Sequence, residues 1–304
     1  RLLAVIKDFV YFPDSSDKDL KVVCRYPQFF ATNKLLDSIR KNMRPKGDGK
    51  GGTYFGATGC GKTYTMLFLA RMLAKRDPEA FANPTVLVIV DREDLESQTG
   101  EIFTSAKKYL GTKDVKVFAS RKSLRNSLLN KPSGGVYLMT VQKFDESIGL
   151  LSQRNNIICL SDEAHRTQTN MEGSLHQTET GDVVETRPFA KCLREALPNA
   201  TYCGFTGTPV DETLNVFGNI VDKYSMKDAS DDGITVRIVR EPRLARGFGN
   251  DAQAKKIQKY YDQCAAEGSS PEQIAESPLV GEAVRIGERL NVLVEIRLHL
   301  LVRI

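Results

Sequence analysis

Two stretches far apart in the chain hold residue types that need each other. In IICLSDEAHRTQTN (Ile157–Asn170) a short apolar run leads straight into the adjacent carboxylates Asp162 and Glu163, with His165 two positions on. Acids at the end of a buried strand are costly unless a positive partner faces them. Residues Gly56, Ala57, Thr58, Gly59, Cys60, Gly61, Lys62 and Thr63 read GATGCGKT and supply that partner. They match G-x-x-x-x-G-K-[ST] at every position, after an apolar β-type run and before a helical pattern. Glycines in such a loop let successive N–H groups turn toward phosphate oxygens, and the following helix N-terminus adds partial positive charge. Lys62 is then expected at the β- and γ-phosphates and Thr63 at Mg²⁺. Asp162 is expected to share that Mg²⁺, and Glu163 to orient and deprotonate an attacking water. His165 is read as a hydrogen-bonding link toward Thr206 or Thr208, and Cys60 as a small filler between glycines.

The elements that must position these groups show in the apolar pattern. Thr53–Phe55, Thr85–Val90, Val136–Thr140, Ile157–Ser161 and Thr201–Phe205 are short, mostly continuous runs, and Val115–Phe118 is a weaker one. Such runs fit strands covered on both faces. Helical patterns lie between them at Lys62–Arg76, Asp94–Lys108, Arg121–Leu129 and Phe189–Leu197. The alternation predicts an α/β domain with a mostly parallel sheet over about residues 20–230, its ligands at the carboxyl ends of the strands. Gly47–Gly52 reads as a loop and Asn170–Arg187 as a mobile polar excursion. Ile234–Arg240 is a possible strand and Ala252–Ala266 a helix, while the stretch from Pro278 fits either.

Bulk properties remove several alternatives. No apolar run approaches the roughly 20 residues of a membrane span, and a signal-peptide layout is absent, so a cytoplasmic protein is expected. Cys24, Cys60, Cys159, Cys192, Cys203 and Cys264 form no C-x-x-C pair, and none of the three histidines lies near a cysteine, which argues against zinc. Net charge is only +5, but Thr104–Lys131 holds eight Lys or Arg against one Asp. That stretch is either a solvated surface or a phosphate-binding face.

Taken together, GATGCGKT, DEAH and GFTGTP (Gly204–Pro209) resemble motifs I, II and III of superfamily 2 helicases and translocases. SDEAHRTQ, LREALPNATYCGFTGTP, FGNIVDKYSMKDASDDGITV, RYPQFFA and TVQKF narrow the resemblance to the R subunit of type I restriction-modification enzymes, over about residues 1–240. The resemblance implies a RecA-like P-loop NTPase domain that binds ATP and Mg²⁺ and translocates on double-stranded DNA. Gln28, with Arg25 beside it, resembles the family's adenine-recognising motif. Thr206 and Thr208 resemble the motif that couples hydrolysis to motion. Arg92, Thr140 and Gln142 fall in segments implied to touch the DNA backbone. Lys107, Lys116 and Arg121, in the basic stretch between those segments, join them as phosphate-contact candidates.

By this resemblance residues 1–19 are a linker from an N-terminal nuclease domain, 20–230 the first RecA-like motor domain, and 231–304 a linker toward a second one. Methylation and specificity subunits are the implied partners. No Q-x-x-G-R-x-x-R pattern occurs, so the chain alone is expected to hydrolyse ATP weakly. Two other readings stay open at this point: the motor of a type III restriction or excision-repair helicase, and a nucleotide-binding P-loop scaffold or small-molecule kinase that never engages DNA.

Overall fold

A computed structural model describes residues 2–14, 20–91, 93–141, 149–164, 174–177, 183–186, 189–209 and 211–235. In chain order the elements are α1 (Leu2–Asp8), β1 (Val10–Tyr11), β2 (Val22–Val23), α2 (Tyr26–Asn42), β3 (Lys50–Gly56), α3 (Lys62–Arg71), β4 (Thr85–Val90), α4 (Glu93–Thr104), α5 (Lys107–Leu110) and β5 (Val115–Val117). They continue with α6 (Arg121–Asn130), β6 (Val136–Thr140), β7 (Ile157–Ser161), β8 (Ser174–Gln177), β9 (Val183–Thr186), α7 (Phe189–Ala196), β10 (Thr201–Thr206), α8 (Asp211–Phe217), β11 (Ile220–Tyr224) and α9 (Met226–Asp231). Seven strands form one sheet in the order β11-β3-β10-β7-β4-β6-β5, and every pairing in it is parallel.

The inner strands are buried along their whole length, as continuous apolar runs predict. Side chains alternate between the faces of a strand. Val86, Val88 and Val90 therefore join the core on one face, with α2 and α3, while Leu87 and Ile89 join the other. This is the RecA-like α/β architecture.

Several details differ from the sequence reading. β3 begins at Lys50, inside the stretch read as a loop. Its glycines are there for close packing: a Cβ at Gly51 would strike Cys203 Sγ on β10, and one at Gly52 would strike Val221 on β11. Helices α2, α8 and α9 and strand β11 add to the elements that the apolar pattern shows. The helix read over Asp94–Lys108 breaks into α4 and α5 at Ser105–Ala106, and the excursion read as mobile surface contains the antiparallel pair β8–β9. Within the stretch read as a linker, Phe9 and Tyr11 are buried in the core, and the Phe9 ring lies 4.9 Å from Phe29 and 5.4 Å from Phe68. Residues 1–237 make one compact unit and 238–304 a second. The readings made for Ala252–Ala266 and from Pro278 onward lie outside the described residues.

Candidate active site

Strand register sets the floor of the site. Phe55 lies beside Thr206, Ser161 beside both Gly204 and Ile89, and Val90 beside Thr140. The carboxyl ends of β3, β10, β7, β4 and β6 thus share one edge. The glycine loop, Asp162–Glu163 and Gly207–Thr208 all leave from it.

The loop has the conformation its glycines allow. Gly59 (φ 81°) and Gly61 (φ 87°) are both left-handed, and α3 starts at Lys62 with Thr63 half-buried in its first turn. Lys62 is buried. Its Nζ donates to the Gly56 carbonyl at 3.3 Å and lies 3.7 Å from Glu163 Oε1. Burial pushes the Asp162 carboxyl up to about 6; Lys62 pulls against that shift and Glu163 adds to it. Cys60 is buried against the Tyr54 hydroxyl, and burial pushes its thiol up, as suits a filler rather than a nucleophile.

Glu163 is one of three non-glycine residues with positive φ among those described, at 45°. Its N–H donates to Asp162 Oδ1 at 3.0 Å, and the next N–H, of Ala164, donates to the Phe205 carbonyl at 3.0 Å. A left-handed non-glycine residue costs about 1–3 kcal/mol and persists where its surroundings fix it. Here the turn aims Glu163 back at Lys62.

Gln28 is buried at the start of α2. Its Nε2 donates to the Gly61 carbonyl at 3.2 Å and its Oε1 accepts from the Arg25 N–H at 2.8 Å. One donor and one acceptor site of the amide are thereby committed to holding α2 on the glycine loop. A Cβ at Gly61 would come within 2.5 Å of that amide, a constraint beyond φ at this position.

The Thr206 hydroxyl accepts the Thr208 N–H at 3.1 Å. A Cβ at Gly207 would sit 3.3 Å from Thr58 Oγ1, so this loop and the glycine loop are in near contact. With the Ala164–Phe205 hydrogen bond, it joins the three segments through backbone. That link carries no residue-type signal in the sequence.

The residues read as DNA contacts are more scattered. Thr140 is fully buried at the carboxyl end of β6, its hydroxyl without a hydrogen-bond partner among the described residues. Lys116 is on the edge strand β5, 2.9 Å from Asp114, which also binds Lys131 at 2.6 Å. Lys107 begins α5, and Arg121 begins α6 four residues after Val117 at the carboxyl end of β5. Arg92, Gln142 and His165 lie outside the described residues.

Residues 27–274 match the family model of the SWI2/SNF2 ATPase, which takes in the whole of this edge. The chain belongs to the SWI2/SNF2 ATPase family. Among its relatives are type I restriction enzyme endonuclease subunits. The HindI endonuclease subunit of Haemophilus influenzae is 39% identical over 250 residues, covering 78% of this chain and 23% of that protein. The SauCOLORF180P endonuclease subunit of Staphylococcus aureus is 29% identical over 237 residues, covering 70% and 23%. A solved structure, the ATP-dependent Type ISP restriction-modification enzyme LlaBIII bound to DNA, has a TM-score of 0.47 at 16% identity, covering 74% of this chain and 17% of that one. The chain spans about a quarter of the length of the curated relatives it matches. No helix among the described residues is long and apolar enough to cross a membrane.

Proposed function

We propose that this chain is the first motor domain of a type I restriction enzyme R subunit, binding ATP with Mg²⁺ and driving translocation on double-stranded DNA. The observation that carries the reading is the buried Lys62, held between the Gly56 carbonyl and Glu163 at the mouth of a left-handed glycine loop. In this arrangement the ammonium and the carboxylate restrain each other. A triphosphate in the loop takes Lys62 for its β- and γ-oxygens, and Glu163 is then free to orient water and accept its proton.

The residues present fit Mg²⁺. Among the described residues no group of three His, Cys, Asp or Glu side chains could hold an ion unaided. Mg²⁺ is usually held by one or two protein oxygens together with waters and substrate phosphates. The buried Asp162 and the Thr63 hydroxyl supply those protein oxygens, and the ion, when bound, neutralises charge developing on the phosphates. Asp162, whose ionised form burial disfavours, is the group such an ion would relieve.

The DNA arm rests on family membership and on the basic stretch Thr104–Lys131, and the methylation and specificity subunits on the type I relatives. Steady-state ATPase with and without duplex DNA tests the whole reading. Stimulation by duplex, abolished in Lys62→Ala, is expected. Hydrolysis indifferent to DNA would return the chain to a nucleotide-binding scaffold.

A further inference from the structure

Outside the loop itself, one side-chain cluster ties three separate parts of the nucleotide edge together. Asp232 Oδ2 accepts the Tyr26 hydroxyl at 2.6 Å and the Tyr224 hydroxyl at 2.7 Å, and the two rings meet edge-on at 6.1 Å. Each partner has its own hold on the glycine loop. Tyr26 opens α2 two residues before Gln28, whose amide binds the Gly61 carbonyl. Tyr224 ends β11, and its carbonyl accepts the Ala57 N–H at 2.8 Å.

Asp232 also closes α9, and the three residues after it run to the loop. The N–H groups of Ile234 and Thr235 both donate to the Ala229 carbonyl, at 2.9 and 3.1 Å. The Thr235 methyl lies 3.7 Å from where a Cβ on Gly59 would be. Its hydroxyl is buried there without a hydrogen-bond partner among the described residues. A buried, unpaired hydroxyl beside a phosphate-binding loop is a donor placed for an acceptor that arrives.

We propose that Asp232 is a positioning residue: its carboxylate latches α2 and the segment Gly233–Thr235 onto the glycine loop, so that nucleotide binding and the seating of that segment favour each other. The proposal rests on the nucleotide reading above and adds a coupling to it. No other contact described here joins all three parts. The Lys34–Asp222 ion pair, at 2.6 Å, already fastens α2 to β11, so loss of Asp232 leaves those two elements docked. The seating of residues 233–235 then rests on the hydrogen bonds to the Ala229 carbonyl, and the Tyr26 and Tyr224 hydroxyls lose their shared acceptor.

Coupling is reciprocal: the factor by which the latch strengthens ATP binding is the factor by which ATP strengthens the latch. The test measures ATP·Mg²⁺ affinity by calorimetry and amide exchange at Ile234 and Thr235, in wild type, Asp232→Ala, Tyr26→Phe and Lys62→Ala. In wild type, ATP should slow exchange at both amides. Asp232→Ala should weaken ATP by about five-fold or more and remove that ATP-dependent protection, and Tyr26→Phe should do the same to a smaller degree. A part that only holds the fold together would lower the melting temperature and leave the ATP dependence of exchange intact. If Asp232→Ala does not fold, Tyr26→Phe and Tyr224→Phe, each lacking one hydroxyl, decide the matter alone. Wild-type protein that binds no ATP would sink the nucleotide reading and the latch with it. ATP binding lost in Lys62→Ala but unchanged in the latch variants, with exchange equally ATP-dependent, would sink the latch only.

Discussion

At the scale of single residues the site is held in a costly state. Burial raises the Asp162 carboxyl to about 6, above the roughly 3.9 of an unfolded aspartate. Between about pH 4 and pH 6 the folded chain therefore binds a proton that the unfolded chain has released. Stability falls as pH rises through that window, by at most about 3 kcal/mol. Asp162→Asn should raise the stability of the nucleotide-free protein at pH 7 by about 1–3 kcal/mol and flatten this slope, at the cost of activity. Denaturant titrations at about pH 4.5 and about pH 7 would show it. Equal stability changes at both pH values would mean that the carboxyl is not held protonated by its burial. Glu163→Gln keeps the side-chain shape and removes the proton acceptor. It should retain ATP binding and lose hydrolysis by about a hundred-fold or more. Normal single-turnover hydrolysis in that variant would move the base elsewhere.

At the scale of elements, the stretch Phe9–Tyr11 shows what packing adds to the sequence reading. Leu2, Leu3 and Ile6 of α1 are exposed. Phe9 instead fills a gap between Phe29 of α2 and Phe68 of α3, and the Tyr11 ring stacks on Tyr109 at 4.6 Å. The Tyr109 hydroxyl donates to the Asp8 carbonyl. This segment therefore braces the helix that carries Lys62. Phe9→Ala should cost about 3–5 kcal/mol, the usual range for emptying a buried phenylalanine site. An unfolding free energy within about 0.5 kcal/mol of wild type, the level of an inert surface change, would show the segment to be a passive lead-in.

At the scale of the whole molecule the open matters are DNA and turnover. The excess positive charge of Thr104–Lys131 is partly neutralised inside the domain: Lys108 faces Asp14 at 3.8 Å, and Lys116 and Lys131 share Asp114. Burial acts to raise the Asp114 carboxyl, but hydrogen bonds from Lys131, Lys116 and Tyr137 outweigh it and hold the group down at about 2. Such a carboxylate adds stability above its unfolded pKa of about 3.9 that is lost as pH falls toward 2. Lys116→Ala should thus act on acid stability more than on DNA, whereas removing Lys107 and Arg121 together should lower the salt slope of duplex binding by about two. Unchanged slopes would make the stretch a solvated face. Turnover belongs to the same scale. With no Q-x-x-G-R-x-x-R arginine in the chain, its ATPase on duplex DNA is expected about 10³-fold or more below that of a full-length type I relative. A turnover within about ten-fold, some 1.4 kcal/mol of barrier, would show the site to be complete as it stands.

The sequence by itself determined the two motifs and the alternation of strands and helices that carries them. GATGCGKT and DEAH each follow an apolar run, and residue type at fixed spacing is a local property, legible without a fold. The same locality explains what stayed hidden. Gly51 and Gly52 look like a loop in sequence because the side chains that demand their absence of Cβ, Cys203 and Val221, come from distant strands. Thr140 gives no sign in sequence that it is fully buried. Glu163 gives no sign of its left-handed backbone, which the hydrogen bonds on either side of it impose. The carboxylate of Asp232 gives no sign of two phenols 206 and 8 positions away. Only tertiary structure decides such features, because each depends on which strands and helices become neighbours.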